Sequence, residues 1–367
     1  MGNRPNHWPK PSPDYHRLVA TLQRKGNPSH VPFLELFADR EVIAAYFNEQ
    51  VITYAACTKD RVIFKRHLDQ KIRFWYELGY DAIWQWPIVN EPAANQLTSV
   101  DKSIYPKEMR DWVDHTNGVV TSWDDIEKIH WPTPQEVDYW PLEYVASQLP
   151  EGMGMILDIR GIMEFLMGLM GYETLAVSLY DQPNLVTAML DKYAEIYIPV
   201  MQTMVDMDGV IAVWMGDDMG YYSGPLISPR HLREYVFPMQ QKVVGIAKES
   251  GLPFLLHTCG NLDVIMEDLI DRVGIDAKHS FEDKIQPVEE FCKLYGDQVA
   301  VIGGVDMDLL SRGTEEQVRN RVRDILNTCG YSGGYILGSG NTIANYVPLT
   351  NFFAMLDEGH RFNQHNL

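Results

Sequence analysis

Pro253-Phe254-Leu255-Leu256-His257 is an apolar run of strand length that stops at the polar and turn-forming residues Thr258-Cys259-Gly260-Asn261. Such a run, continuous rather than alternating, suits a parallel strand buried on both faces. It follows a segment, Pro229–Glu249, that reads as a helix. Ser228 offers an N-cap, and Pro229 stands at the first helical position, where its missing N–H costs nothing.

The same strand-then-helix unit recurs outward in both directions. Apolar runs at Val31–Phe37, Asp81–Trp86, Met153–Ile159 and Val210–Met215 precede it. Asp276–Phe281, Val299–Ile302 and Tyr335–Leu337 follow, which makes eight. Between them, Asp60–Leu78 and Asn184–Asp206 have apolar residues at helical spacing, and Glu315–Thr328 begins behind a Gly313-Thr314 cap. Eight is the closing number for a parallel barrel, so the expected fold is an α/β (β/α)8 TIM barrel formed by residues 1–367 as a single domain. Two additions are expected. Residues 1–29 make an N-terminal helical extension under the barrel. Residues 87–151, too long for a plain crossover, make an insertion after strand two near the barrel mouth, with helices at Ser122–Ile129 and Thr133–Gln148.

A formal net charge of −19 repels phosphate backbones and anionic lipid, and the Lys and Arg residues form no basic patch, so no nucleic-acid or membrane partner is expected. No run approaches the roughly 18 apolar residues of a membrane span. Met1–Lys10 lacks the apolar core of a signal peptide, and four scattered cysteines do not make a disulfide framework. The expected compartment is the cytoplasm.

In a barrel the residues at strand C-termini face the site. Here they are Glu35, Trp84, Trp86, Asp158, Arg160, Asp217, Asp218, His257, Cys259, His279, Glu282, Asp306, Ser339 and Asn341. His257-x-Cys259 puts an imidazole and a thiolate on one side of the chain, suited to one zinc ion. Glu35, Asp217, Asp218 and Asp306 are candidates to complete the coordination. The competing reading is a buried histidine beside a packed thiol. Adjacent carboxylates on a strand end point opposite ways, so one of Asp217 and Asp218 is expected to enter the site. Trp84 and Trp86 share a face and form an aromatic wall or plain packing. Arg160 either grips a substrate carboxylate or pairs with Glu164 at helical spacing.

In order along the chain stand Val31-Pro32-Phe33, Gly216-Asp217-Asp218 with Gly224-Pro225-Leu226-Ile227-Ser228-Pro229, and Leu256-His257-Thr258-Cys259-Gly260-Asn261. Gly303-Gly304-Val305-Asp306 and Gly333-Gly334-Tyr335-Ile336-Leu337 complete the set. Together they resemble the uroporphyrinogen decarboxylase superfamily, which includes cobalamin-dependent methyltransferases. True decarboxylases of the superfamily carry an arginine-rich Arg-Gln-Ala-Gly-Arg segment after the first strand, where this chain reads Glu35-Leu36-Phe37-Ala38-Asp39-Arg40. The methyltransferase branch is closer, because His257-x-Cys259 matches its zinc motif. In that branch the third ligand is commonly a cysteine after the last strand, and this chain has Asn341 there.

The resemblance implies a methyltransferase working with a cobalamin or corrinoid cofactor, carried by a partner protein, on a small methyl donor or acceptor. On this reading His257, Cys259 and Glu35 hold zinc, and Asp217, Asp218 and Glu35 serve the chemistry. Trp84, Trp86, Arg160, His279, Asp306 and Asn341 contact substrate. Two alternatives are a metal-free decarboxylase acting on a small acid held by Arg160, and a non-catalytic corrinoid-binding partner.

Overall fold

The computed structural model describes residues 2–27, 29–57, 59–100, 103–105 and 109–365. Seven strands form one parallel sheet in the order β1 (Ala82–Gln85), β4 (Gly154–Arg160), β5 (Val210–Gly216), β8 (Phe254–His257), β9 (Ala277–His279), β10 (Ala300–Ile302) and β11 (Tyr335–Ile336). Two antiparallel hairpins lie outside it: β2 (Gln96–Val100) with β3 (Met109–Val113), and β6 (Gly220–Tyr221) with β7 (Gly224–Pro225).

The run expected to be the first strand pairs on one side only. Phe33 bridges Leu337 in parallel, with Leu34 N–H donating to the Leu337 carbonyl and Leu337 N–H to the Pro32 carbonyl. No backbone ladder joins it to β1 among the described residues, and ring contacts of Phe33 with Tyr80 and of Phe37 with Trp84 bridge that seam instead. Pro32, with no N–H, cannot extend a ladder.

The sheet curls round its own small core. Alternate residues, including Ala82, Ile156, Ala212, Trp214, Leu255, Ala277, Ala300, Ile302 and Ile336, fill the barrel interior, as period-2 side-chain direction requires. Leu18 and Leu22, from the helix Tyr15–Leu22, belong to the same cluster. That helix lies at the N-terminal ends of the strands: Tyr15 N–H bonds to Gly152 and Gly26 N–H to Gly333, just ahead of β4 and β11. The bottom is thus plugged by the expected N-terminal extension, and the opposite end is left for chemistry.

The helices keep their expected places with sharper bounds. Asp60 caps Arg61–Leu78, accepting from the Val62 and Ile63 N–H groups, and Thr314 caps Glu315–Cys329 in a box with Gln317. Pro229–Glu249 is not one regular helix. A short turn, Pro229–His231, passes into a wide π turn, Leu232–Val236, and then into Phe237–Glu249. Pro238 explains the widening, since its ring cannot donate to the turn before it and would clash with a regular one.

The insertion contains the helices Trp123–Lys128 and Trp140–Gln148, a 3-10 turn Pro134–Glu136, and the unexpected β2–β3 hairpin. Residues 103–105 reach across to the loop after the last strand: Ile104 N–H bonds to the Asn345 carbonyl, and the Tyr105 hydroxyl to that of Val347. The insertion therefore borders the barrel mouth, tied to the loop after the last strand. No single described helix is long and apolar enough to cross a membrane.

Candidate metal centre at the barrel mouth

β5 and β8 run side by side with Gly216 opposite His257, so the residues just past each strand meet. Asp218, His257 and Cys259 converge, their ligand atoms all lying within 4.8 Å of one another. His257 Nε2 is 3.4 Å from Cys259 Sγ and 3.6 Å from Asp218 Oδ1. Tetrahedral zinc, with Zn–N and Zn–O near 2.0–2.2 Å and Zn–S near 2.3 Å, places its ligand atoms about 3.3–3.6 Å apart. The donor types and both spacings fit zinc.

The two adjacent aspartates part as strand geometry requires. Asp218 turns to the cluster, its Oδ1 also accepting the Cys259 N–H at 2.8 Å. Asp217 turns into the fold and is fully buried. Its Oδ1 accepts the Met163 and Glu164 N–H groups at 2.6 and 3.2 Å, anchoring the start of helix Ile162–Met170, and its Oδ2 accepts from Gln240 Nε2 at 2.7 Å. Burial pushes its carboxyl up to about 7, against the pull of these donors. Both oxygens of Asp217 are thus engaged within the fold, and Asp217 lines neither of the cavities at the mouth.

Glu35, expected as the third ligand, lies outside the cluster. Its Oε1 accepts the Ser339 N–H at 2.9 Å, and its Oε2 meets the Ser339 hydroxyl at 2.5 Å. Full burial raises its pKa to about 8, Ser339 pulling the other way, so Glu35 is mostly protonated at neutral pH. Its folded pKa stands above the unfolded value near 4.5, so its stabilising contribution is full below about pH 4.5 and is lost as pH rises through 8. Unfolding free energy should therefore drop by about 2 kcal/mol between pH 6 and 8, and Glu35→Gln should flatten that part of the curve. Denaturant titrations of both proteins across this range are the check; parallel curves would mean Glu35 is ionised in the fold.

Cys259 Sγ receives hydrogen bonds from Ser280 Oγ at 3.3 Å and Asn341 Nδ2 at 3.5 Å. Burial and the nearby Asp218 carboxylate push the thiol pKa up, while the Ser280 hydroxyl pulls it down. A cation among the three donors would reverse that balance. Asn341, in the place of a ligand, instead donates to one. Ser280 holds a left-handed backbone (φ 84°), and nothing in the sequence announced its role.

His279 was expected at the substrate. It is fully buried and stands behind His257, with Nδ1 2.8 Å from His257 Nδ1 and Nε2 3.3 Å from the Ser339 carbonyl oxygen. Burial lowers both imidazoles' pKa values, that of His279 well below the ordinary range, so both rings are neutral.

Two cavities open at the mouth and share Leu36, Phe37, Arg160 and Gly216 in their walls. The larger, ≈ 720 Å³, contains Asp218, His257 and Asn341, together with Asp306. Asp306 caps helix Met307–Arg312 through the Asp308 and Leu309 N–H groups and also accepts the Asp283 N–H. The smaller, ≈ 500 Å³, is walled by Trp84 and Trp86, stacked at 4.5 Å and 16°, with Asp158 and Glu91. The Lys71 ammonium lies 3.9 Å over the Trp84 ring and bonds to the Trp84 carbonyl at 2.5 Å. Burial lowers Lys71 to about 7 and raises Asp158 to about 7, each opposing the other's shift. Arg160 lines both cavities, donates to the Glu164 carbonyl at 3.1 Å and has the Glu91 and Glu164 carboxylates at 3.4 and 3.9 Å.

A (β/α)8 barrel with a zinc-type donor set above its strand ends defines the class. The chain belongs to the uroporphyrinogen decarboxylase (URO-D) family, whose model matches residues 114–362. It is 33% identical over 133 residues to a methylated-thiol–coenzyme M methyltransferase of Methanosarcina mazei, covering 36% of this chain and 33% of that one. It is 24% identical over 247 residues to the methylcobamide:CoM methyltransferase MtbA of Methanosarcina acetivorans, covering 65% and 68%. With a uroporphyrinogen decarboxylase of Prochlorococcus marinus it shares 27% over 190 residues, covering 51% and 52%. The chain thus spans a third to a half of the first curated relatives it matches. A solved methyltransferase from Methanosarcina mazei superposes with a TM-score of 0.67 over 94% of this chain and 98% of that one, at 18% identity, which is a likeness of fold.

Proposed function

We propose that this chain is a methyltransferase whose barrel, acting as a single domain, moves a methyl group between a small substrate and a corrinoid carried by a partner protein. Zinc is held by Asp218, His257 and Cys259. The observation that carries this reading is the meeting of one oxygen, one nitrogen and one sulfur donor at zinc-compatible spacings, with the oxygen and nitrogen donors, Asp218 and His257, on the wall of a ≈ 720 Å³ cavity. The names of the methylcobamide and methylated-thiol relatives support the same assignment.

Held by Asp218, His257 and Cys259, zinc would supply Lewis acidity toward a substrate. The chain's own groups do the rest. Ser280 and Asn341 steady the Cys259 sulfur by donating to it, and the Cys259 N–H fixes Asp218. The tryptophan-walled cavity holds the apolar body of the substrate against Trp84 and Trp86, with Ile88, Val89 and Val113 of the insertion completing its wall. A corrinoid exceeds the drug-sized ligands that fill cavities of about 300–1,000 Å³. The mouth therefore takes one face of it, as a carrier protein would present it.

The decarboxylase alternative is less favoured, because Arg160 already faces two carboxylates of its own chain, Glu91 and Glu164. The purified chain should contain one zinc per molecule and turn methylcob(III)alamin into cob(I)alamin with a thiol, amine or phenol as acceptor. Protein without stoichiometric zinc after metal-replete expression, or no cobalamin turnover with any acceptor class, overturns the proposal.

A further inference from the structure

We propose that His279 is a positioning residue that fixes the tautomer of His257, so that the metal centre is preset before any ion arrives. This rests on the zinc reading above for its purpose, but its geometry stands in the chain alone. The Ser339 carbonyl can only accept, so the His279 nitrogen facing it, Nε2, carries a hydrogen. A neutral imidazole has one N–H, which leaves His279 Nδ1 as a lone pair. The 2.8 Å contact between the two Nδ1 atoms then requires the hydrogen on His257. His257 Nε2 is left as a lone pair, and it is the atom that faces Asp218 Oδ1 and Cys259 Sγ. The opposite tautomer would put a hydrogen where the ion must bind.

The line is anchored beyond His279. Glu35 grips both the N–H and the hydroxyl of Ser339 and so holds the residue whose carbonyl receives His279. Trp214 packs edge-on against the His279 ring at 5.2 Å. Gly303 closes the other side with φ 85°: a Cβ there would lie 2.2 Å from the Ser339 carbonyl oxygen and 3.2 Å from the His279 ring. The ring is thus packed between Trp214 and Gly303, and it lines neither mouth cavity. A metal-bound imidazole usually owes its orientation and basicity to such a partner on its other nitrogen. Here that partner is a second histidine rather than a carboxylate.

The first test needs no metal. Imidazole 15N spectra of the zinc-free protein, assigned with His257→Asn and His279→Asn, should show His257 as the Nδ1–H form and His279 as the Nε2–H form. His257 found as Nε2–H overturns the inference, whatever the protein's activity. The second test reads the ion. His279→Phe should weaken zinc binding in chelator competition about 10–100-fold, and should alter the d–d bands of the Co(II)-loaded protein. His279→Asn places an acceptor oxygen near the old Nδ1 and should recover most of both. Unchanged affinity and spectrum in a folded His279→Phe protein would reduce His279 to packing. Wild-type protein that binds neither metal, yet shows the stated tautomers, would count against the zinc reading alone.

Discussion

Cys259→Ala is expected to leave the protein folded, to take bound zinc from one per chain to a trace, and to abolish cobalamin-dependent methyl transfer. The loss should exceed the about 10–100-fold typical of an outer hydrogen-bond partner, because a zinc–thiolate bond itself disappears. The rest of the barrel has little reason to respond. Cys259 lies past the end of β8, its sulfur bonds to His257, Ser280 and Asn341 at the mouth, and the interior layers of the sheet are apolar and unaltered. Asp218→Ala should follow Cys259→Ala, whereas Glu35→Gln should keep its zinc, because Asp218 stands among the donors and Glu35 is spent on Ser339. Elemental analysis of the three variants separates the cases. Zinc retained in Asp218→Ala and lost in Glu35→Gln would return the third ligand to Glu35 and discard the donor set argued above.

What the sequence disclosed follows from how each part is stabilised. Strands such as Met153–Ile159 and Val210–Met215 are buried on both faces, and their continuous apolar runs survive as β4 and β5 within a residue or two. The run Val31–Phe37 has the same composition, yet pairing depends on a neighbour's register as well as on apolarity, and it forms only a bridge. The β2–β3 hairpin, of mixed polar and apolar residues, had no strict alternation to announce it. At the site, His257 and Cys259 stand two residues apart, so their closeness was local information. The choice between Asp217 and Asp218 was not local, because it rests on Gln240 and on the first turn of Ile162–Met170, brought in from elsewhere in the chain. Glu35 reads as a strand-end carboxylate like any other until Ser339, 304 residues away, is seen bound to it.

Asp217→Ala should show the opposite pattern to Asp218→Ala: a large loss of stability with zinc retained in whatever remains folded. Removing the carboxylate leaves the Met163 and Glu164 N–H groups and the Gln240 amide without their acceptor in a fully buried place. Each orphaned donor costs about 1–3 kcal/mol. Water can reach the gap only in part, since Gly161 packs so close that a Cβ on it would lie 2.6 Å from Asp217 Oδ1. A net loss of about 3–5 kcal/mol is expected, read as a lower denaturant midpoint at an unchanged slope. Asp217→Asn keeps one acceptor for the helix start and should lose less. A stable Asp217→Ala protein that holds zinc but has lost methyl transfer would place Asp217 at the reacting atoms after all. The neighbouring aspartates would then share the chemistry, rather than dividing into one that builds the wall and one that holds the metal.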